Sequence, residues 1–157
     1  MGVAGSGKTT LGQALAAAIG FRFEDADAHH PPSNVAKMAA GVPLDDADRA
    51  PWLALLATMV ERAIADGTGL VLACSALRHQ YRVMLGVGRR EVALVHLVAP
   101  AHVLAARLEQ RAGHFMPASL LGSQLAALET PDGAFALDST RPLGELVDEV
   151  RLALFEG

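Results

Sequence analysis

The chain has 157 residues, of which 52% are hydrophobic and 19% are charged, and its formal net charge is −4. This composition indicates a globular protein rather than a disordered one, and the negative charge gives no support for nucleic-acid binding. The single cysteine, Cys74, excludes an internal disulfide and a cysteine-based zinc site. No apolar run approaches the ~18 residues that span a bilayer. We therefore expect one cytoplasmic domain, residues 1–157, with neither a membrane nor a nucleic-acid partner.

Helical and strand-like patterns alternate along the chain, which predicts an α/β fold with a mostly parallel sheet. Apolar residues at helical spacing predict helices over residues 9–19, 35–40, 52–65, 76–85, 100–111, 120–128 and 143–155. Short apolar runs predict strands over residues 21–23, 69–74, 91–99 and 134–137, the last at a sheet edge. Pro51 suits the first turn of the helix that is predicted from residue 52.

A glycine-rich loop leads into the first predicted helix. Residues 2–9 read Gly-x4-Gly-Lys-Thr, the pattern of a phosphate-binding loop, or P-loop. Its backbone N–H groups and the helix N-terminus attract phosphate oxygens, while Lys8 would neutralise the β- and γ-phosphates and Thr9 would ligate magnesium. The alternative is a glycine-rich helix entry without a ligand. The predicted nucleotide-binding residues here are Gly2, Val3, Ala4, Gly5, Ser6, Gly7, Lys8, Thr9 and Thr10.

A buried strand normally precedes such a loop and lies in the middle of the sheet. Here the chain begins at the loop itself. We expect the first, central strand to lie upstream of Met1, which we interpret as an internal methionine, because a sheet without its middle strand would leave a large apolar void. A truncated, inactive nucleotide-binding fragment is the alternative.

Two carboxylates follow the first predicted strand, at Asp25 and Asp27. Residues at i and i+2 of an extended segment point to one side, and ligands bind at the open ends of parallel strands. One carboxylate would hold magnesium, and the other would orient or deprotonate an acceptor hydroxyl. We assign Asp25 to the metal and Asp27 to catalysis, although the spacing does not distinguish them. An isolated pair of this kind is otherwise a solvated turn.

The residues that follow these carboxylates resemble gluconate kinases (gluconokinases). Residues 25–53 read DADAHHPPSNVAKMAAGVPLDDADRAPWL, which matches the family block D-x-D-x-x-H-P-x-x-N-x-x-K-M-x-x-G-x-P-L-x-D-x-D-R-x-P-W-L. Further matches cover residues 74–78, 81–82, 113–116, 120–121, 123–124, 128–129 and 131. Arg78 stands where lysine is usual and Thr9 where serine is common; both substitutions keep the charge or the hydroxyl.

The resemblance implies a three-layer P-loop kinase fold, related to shikimate kinase, that uses ATP and Mg²⁺ to phosphorylate D-gluconate. It also implies an acceptor-binding insertion over residues 28–66, a mobile lid over residues 111–118, and a homodimer. A same-fold kinase for another sugar acid, shikimate or a nucleotide is the competing interpretation.

Gluconate carries one carboxylate and several hydroxyls, so its pocket needs cations together with polar groups. Arg78 and Arg82 are four residues apart in a predicted helix and would share one face, although such a pair is often solvated. His30 could instead brace the proline turn, and Trp52 could be core. Asp45, Asp46 and Asp48 indicate a helix N-terminus. The predicted acceptor-binding residues are Asp27, His30, Lys37, Arg49, Ser75, Arg78, Arg82 and Gln124.

Arg107 and Arg111 lie at i and i+4 immediately before the Gly113–Pro117 interruption. This arrangement resembles the lid entry of related nucleotide kinases, where one arginine contacts adenine and another reaches the phosphates. A closing arginine would stabilise the transferred group and exclude water, so we add Arg111 to the predicted catalytic residues. The alternative is that both arginines face solvent.

Overall fold

The computed structural model describes residues 1–111 and 118–156. Within these residues, no helix is both long and apolar enough to cross a membrane. The predicted lid falls mainly on residues 112–117, which lie outside the described residues. The elements in chain order are α1 (Lys8–Ile19), β1 (Arg22–Asp25), a 3-10 turn (Ala26–His29), α2 (Pro32–Ala39), α3 (Asp46–Asp66), β2 (Leu70–Ala73), α4 (His79–Met84), β3 (Val95–Val98), α5 (Ala101–Glu109), a second 3-10 turn (Ala118–Leu120), α6 (Leu121–Ala127), β4 (Phe135–Asp138) and α7 (Leu143–Leu154).

The strands form two parallel pairs, β1 with β2 and β3 with β4. The first two residues of the chain lie between these pairs. The carbonyl of Met1 accepts a hydrogen bond from the N–H of Leu97 at 2.9 Å, and the N–H of Gly2 donates to the carbonyl of Ser75 at 3.3 Å. The glycine loop therefore starts between the ends of β2 and β3, and the strand expected upstream stays a prediction.

Helices cover both faces of the strands, which confirms the predicted three-layer α/β fold. Val71 of β2 packs against the cluster of α1, α7, β3 and β4 side chains, whereas its neighbour Leu72 packs against the cluster from α3 and α4. Neighbouring residues of a strand point to opposite faces, so both faces of β2 are apolar and covered. The largest fully buried side chains, Leu56, Leu104 and Leu137 among them, come from different elements of these layers.

Helix α3 begins at Asp46 rather than at Trp52, so the predicted start was wrong. The Asp45 carboxylate accepts a hydrogen bond from the N–H of Asp48, and the Asp48 carboxylate accepts one from the N–H of Asp45. This capping box satisfies two free N–H groups and starts the helix early. Pro51 therefore lies inside the helix and not in its first turn. The predicted capping role of this acidic segment is confirmed.

Helix α4 begins at His79, and Arg78 is its N-cap residue with extended backbone angles. The prediction that Arg78 and Arg82 share one helix face was therefore wrong, because only Arg82 is helical. Between β2 and α4, Ala76 has a φ of 45°, in the left-handed region that costs non-glycine residues energy. The connection is thus a strained turn whose shape a helix prediction could not capture.

Candidate active site

Two cavities adjoin the glycine loop. The larger, of about 480 Å³, runs from the loop and the Asp25–Asp27 turn to α3 and α6. The smaller, of about 340 Å³, lies on the other side of the loop, against α5, α7 and the segment after β4. Arg111 lines both. The loop therefore separates two spaces, which we name the acceptor cavity and the nucleotide cavity.

The shape of the loop requires its glycines. A Cβ atom at Gly2 would lie 2.6 Å from the Ser6 hydroxyl oxygen and 2.9 Å from the carbonyl oxygen of Leu97. Gly7 has a φ of 92° and is the N-cap residue of α1, so a side chain there would be strained. The Ser6 hydroxyl is buried and has no hydrogen-bond partner among the described residues. A buried polar atom without a partner is costly, so this loop suits a ligand that brings acceptor oxygens.

Lys8 folds back over the loop, and its ammonium group donates to the carbonyl of Val3 at 3.0 Å. Desolvation lowers the pKa of Lys8 from its ordinary value, and the negative charge of Asp27 opposes this change. The lysine lines the acceptor cavity together with Asp25 and Asp27. The structure thus places Lys8 between the glycine loop and the acidic turn.

The hydroxyl of Thr9 donates to one carboxylate oxygen of Asp25 at 2.7 Å. The other oxygen of Asp25 accepts from the backbone N–H of Asp27 at 3.0 Å. This second bond turns the chain at the end of β1 and brings the Asp27 carboxylate to the cavity wall near Lys8. The two carboxylates therefore differ: Asp25 adjoins the loop hydroxyl, whereas Asp27 lies beside the lysine.

The described residues contain no group of three histidine, cysteine, aspartate or glutamate side chains able to hold a metal by themselves. Thr9 and Asp25 nevertheless bring two oxygen atoms to one point of the cavity. Magnesium prefers oxygen ligands and is usually held by one or two protein groups, with phosphates and waters completing its coordination. The donor set therefore fits a magnesium ion that arrives with a nucleotide.

Arg107 ties the glycine loop to the segment after β4. Its guanidinium donates to the carbonyl of Gly5 at 3.2 Å, and to the hydroxyl and carbonyl of Ser139 at 3.1 and 2.7 Å. Thr10 and Arg141 also line this nucleotide cavity. Thr10 was among the predicted nucleotide-binding residues, whereas Arg141 was not selected from the sequence.

An aromatic stack forms part of the acceptor wall. The rings of His30 and Trp52 lie 4.0 Å apart between centroids and are nearly parallel. The indole N–H of Trp52 donates to the carbonyl of Ala26 at 2.7 Å, which fixes the indole beneath the acidic turn. Desolvation, and then the nearby positive charge of Arg49, lower the pKa of His30 to about 4. His30 is therefore neutral near pH 7 and does not supply the cation that the sequence analysis allowed.

Two arginines provide positive charge on the same wall. Arg49 donates to the Tyr81 hydroxyl at 3.3 Å and lies over the Tyr81 ring, while the Tyr81 hydroxyl donates to Asp46. Arg78 lies 3.9 Å from the Asp46 carboxylate. Asp46 therefore pairs with Arg78 directly and is linked to Arg49 through the Tyr81 hydroxyl. Both arginines line the acceptor cavity, and their contact with the acceptor stays a prediction.

Ser75 and Gln124 also line the acceptor cavity, where the sequence analysis placed them. The Gln124 side-chain oxygen accepts a hydrogen bond from the N–H of Ala4 at 2.7 Å. This bond joins α6 to the glycine loop, so Gln124 contacts both the loop and the cavity. The neighbouring Ser123 lines the cavity too, although the sequence analysis did not select it.

Two predicted acceptor residues lie elsewhere. The Lys37 ammonium donates to the Asp48 carboxylate at 2.6 Å, and Lys37 is absent from the cavity wall. Arg82 is 3% exposed, and its guanidinium donates to the carbonyls of Ala76 and Leu77 at 3.0 and 3.1 Å. Lys37 thus braces the start of α3, and Arg82 supports the strained turn before α4. The sequence spacing could not reveal these partners, which are brought close by the fold.

One part of the acceptor wall is apolar and was not predicted. Met38, Leu44 and Leu120 form a small buried cluster whose members line the cavity, next to Pro43. Trp52, which the sequence analysis considered mainly as core, is buried and lines the cavity as well. A ring or methyl surface beside polar groups suits the C–H faces of a polyol. No apolar pattern in the sequence singled out these residues; Met38, Pro43 and Leu44 lie in the matched block of residues 25–53, and Leu120 in the match at 120–121.

The loop, the acidic turn and the α/β layers together define a P-loop small-molecule kinase. The model of the shikimate kinase family matches residues 4–122. An unliganded sugar kinase from Janibacter sp. HTCC2649 superposes with a TM-score of 0.89, is 44% identical, and is aligned over 99% of this chain and 91% of its own.

Relatives of known type identify the kinase family within this class. A gluconokinase from Gluconobacter oxydans (strain 621H) is 52% identical over 131 residues, which are 83% of this chain and 74% of the relative. The structure of a gluconokinase from Sinorhizobium meliloti 1021 is 46% identical and superposes with a TM-score of 0.80 over 95% of this chain and 85% of its own. The chain belongs to the gluconokinase family.

Proposed function

We propose that this protein transfers the γ-phosphoryl group of ATP to the 6-hydroxyl of D-gluconate. The observation that carries the proposal is the acceptor cavity, whose wall combines Lys8 and Asp27 with the guanidinium groups of Arg49 and Arg78. A cavity that joins a phosphate-binding loop and a carboxylate to guanidinium groups suits an acceptor that carries both hydroxyls and a carboxylate. The gluconokinase relatives support the same assignment.

The glycine loop holds the donor. Its N–H groups and the N-terminus of α1 attract the phosphates, and Lys8 adds a charge that counters the negative charge of the transferred group. The orphaned hydroxyl of Ser6 is consistent with a ligand in this loop. In the nucleotide cavity, Arg107 supports the loop and faces the side on which we place the base. Arg111 stays a predicted lid residue that reaches the phosphates.

Magnesium would be held by Thr9 and, directly or through water, by Asp25. The ion would supply positive charge to the donor phosphates. The hydrogen bond between these two side chains keeps both oxygens in place before any ligand arrives. Such pre-organisation avoids reorganising the site at the moment of reaction.

At the acceptor end, Asp27 would accept the proton of the attacking hydroxyl and orient its oxygen for direct in-line transfer. Arg49 and Arg78 would bind the carboxylate of the sugar acid, because guanidinium groups form strong charge-assisted bonds with carboxylates. Ser75, His30 and Gln124 would contact hydroxyls. The reaction needs no covalent enzyme intermediate.

The direct test is a coupled ATP-turnover assay with D-gluconate, shikimate and nucleoside monophosphates as acceptors. We expect magnesium-dependent turnover with gluconate at a kcat/KM at least a hundredfold above the other acceptors. Product analysis should show one phosphate ester at the terminal carbon. Turnover with shikimate or a nucleotide but not with gluconate would refute the proposal.

Cytoplasmic location and a homodimer stay predictions from the sequence and the family resemblance. Light scattering coupled to size-exclusion chromatography tests the second: a dimer gives twice the mass of the 16.4 kDa chain.

A further inference from the structure

A buried asparagine that faces the acceptor-wall histidine carries a further inference. Asn34 of α2 is only 2% exposed. Its side-chain nitrogen lies 2.9 Å from the carbonyl oxygen of Asp48 and 3.3 Å from Nδ1 of His30. A carbonyl oxygen can only accept a hydrogen bond, so the NH₂ group and not the oxygen of Asn34 must face Asp48. The orientation of this amide is therefore decided by its chemistry.

The same NH₂ group determines the form of the His30 ring. One of its two hydrogens is donated to the carbonyl oxygen of Asp48, which leaves the other for Nδ1 of His30. A proton on Nδ1 would place two donors against each other, so Nδ1 must accept and the neutral ring carries its proton on Nε2. Desolvation and Arg49 disfavour the doubly protonated ring, which agrees with this arrangement.

The ring cannot easily turn away from this partner. Trp52 lies parallel to it at 4.0 Å and is itself held by the carbonyl of Ala26. His30 lines the acceptor cavity whereas Asn34 does not, so the Nδ1 edge is engaged with the protein behind the wall. Nε2 is then the ring nitrogen that a ligand in the cavity can use.

We propose that Asn34 is a positioning residue that holds His30 as a neutral donor, whose Nε2–H binds a hydroxyl oxygen of the acceptor. This inference rests on the proposed function, because the acceptor is taken to be a polyol acid. The acceptor wall then has two kinds of donor. Arg49 and Arg78 bind the carboxylate of the acceptor, and the neutral His30 ring donates to a hydroxyl without adding a third positive charge. Asn34 touches no substrate and acts only through His30.

The first test reads the tautomer directly and needs no turnover. In the ¹⁵N-labelled full chain at pH 7, two-bond ¹H–¹⁵N spectra should show His30 as the Nε2–H tautomer. The Asn34→Asp variant replaces the donor by an acceptor, so the proton should move to Nδ1 or the ring should become an imidazolium. An Nδ1–H ring or an imidazolium in the unmodified protein would overturn the proposal.

The second test compares two variants of His30 that lose the aromatic stack equally. The amide nitrogen of His30→Gln reaches the position of Nε2 and keeps a donor there, whereas that of His30→Asn reaches only the position of Nδ1. We expect the KM for gluconate to be three- to tenfold higher in His30→Asn than in His30→Gln, the ratio that one hydrogen bond is worth. The KM for ATP should be the same in both.

Equal gluconate KM values in these two variants would overturn the proposed contact, even where Asn34→Asp fails to fold. Failure of the proposed function is recognised separately, since the unmodified protein would then turn over another acceptor or none. In that case the tautomer measurement still decides whether Asn34 sets the ring, with the Nε2–H form supporting the positioning role and any other form refuting it.

Discussion

The two ends of the acceptor cavity are built in different ways. At the donor end, consecutive residues from Gly2 to Thr9 form the loop, and much of the binding capacity comes from backbone N–H groups. At the acceptor end, side chains come from the first 3-10 turn, α3, the turn before α4, and α6. The difference teaches that one end depends on local backbone shape, whereas the other depends on the packing of distant elements.

This comparison predicts that substitutions at the donor end change the rate, and that substitutions at the acceptor end change selectivity for the acceptor. The largest effect should come from Lys8. In Lys8→Met the charge that stabilises the transferred phosphoryl group is lost, and we expect kcat/KM to fall about a thousandfold, the upper value for removing one preorganised electrostatic contact.

The matched control is Lys37→Met, because Lys37 is the other lysine of the chain and pairs with Asp48 outside the cavity. Its gluconate KM should stay within about twofold of the unmodified value. Coupled assays measure kcat and KM for both variants. A large rise of the gluconate KM in Lys37→Met would show that Lys37 contacts the acceptor, as the sequence suggested.

Asp27 lines the acceptor cavity beside Lys8. Asp27→Asn should lower kcat roughly a hundredfold, at the low end of the range for a general base, because phosphoryl transfer has a loose transition state that needs little proton removal. Binding of the ATP analogue should persist in calorimetry. Asp66→Asn, at the exposed end of α3, serves as the control. An Asp27→Asn enzyme with undiminished kcat would remove Asp27 from the chemistry.

The Arg78→Met variant tests the acceptor end separately from the donor end. Arg78→Met should raise the KM for gluconate about tenfold or more, because a charge-assisted bond to the carboxylate is lost, while the KM for ATP stays unchanged. Arg62→Met, an exposed change on α3, is the matched control. If both KM values rise together, Arg78 serves the fold rather than the acceptor, and the proposed division between the two ends is wrong.

Substitution of Arg82 should lower the stability of the fold more than it changes selectivity for the acceptor. In Arg82→Met the carbonyls of Ala76 and Leu77 lose their buried donor, and the free energy of unfolding should fall by about 1–3 kcal/mol. Urea unfolding measures this change, with exposed Arg90→Met as the control. An unchanged unfolding midpoint in Arg82→Met would show that the strained turn does not depend on this guanidinium.

The last prediction concerns the pH dependence of stability. His30 has a folded pKa of about 4 against an ordinary value of 6.5. As the pH falls from 6.5 towards 4, the unfolded chain binds a proton that the folded ring does not, so the free energy of unfolding decreases. His30→Gln should lack this part of the loss, whereas exposed His102→Gln should keep it. Urea midpoints between pH 4.5 and 7 measure the difference.

Several features of the donor end followed from the sequence alone. The spacing of Gly2, Gly7, Lys8 and Thr9 was sufficient because a P-loop is a local structure whose shape is set by consecutive backbone angles and a helix start. The alternation of helices and strands likewise predicted the α/β layers, since each element's periodicity is carried by its own residues. The boundaries shifted where side chains intervened, as in the capping box that starts α3 before Pro51.

The acceptor wall could be predicted only in part. The sequence analysis selected His30, Arg49 and Ser75 as acceptor-binding residues, and all three line the cavity. Lys37 and Arg82 were selected in the same way, yet each is bonded to a group of its own chain outside the cavity wall. A residue's type and spacing cannot distinguish a cation that faces a ligand from one that faces a carbonyl or a carboxylate of its own chain.

The sequence by itself determined the phosphate loop, the acidic turn and the order of the layers, because each depends on residues that are neighbours in the chain. Only the tertiary structure decided which side chains share the acceptor cavity, and that the Asn34 side chain faces Nδ1 of His30. Those choices depend on contacts between α2, α3 and the turn before α4, whose distances are set by packing and not by local preference.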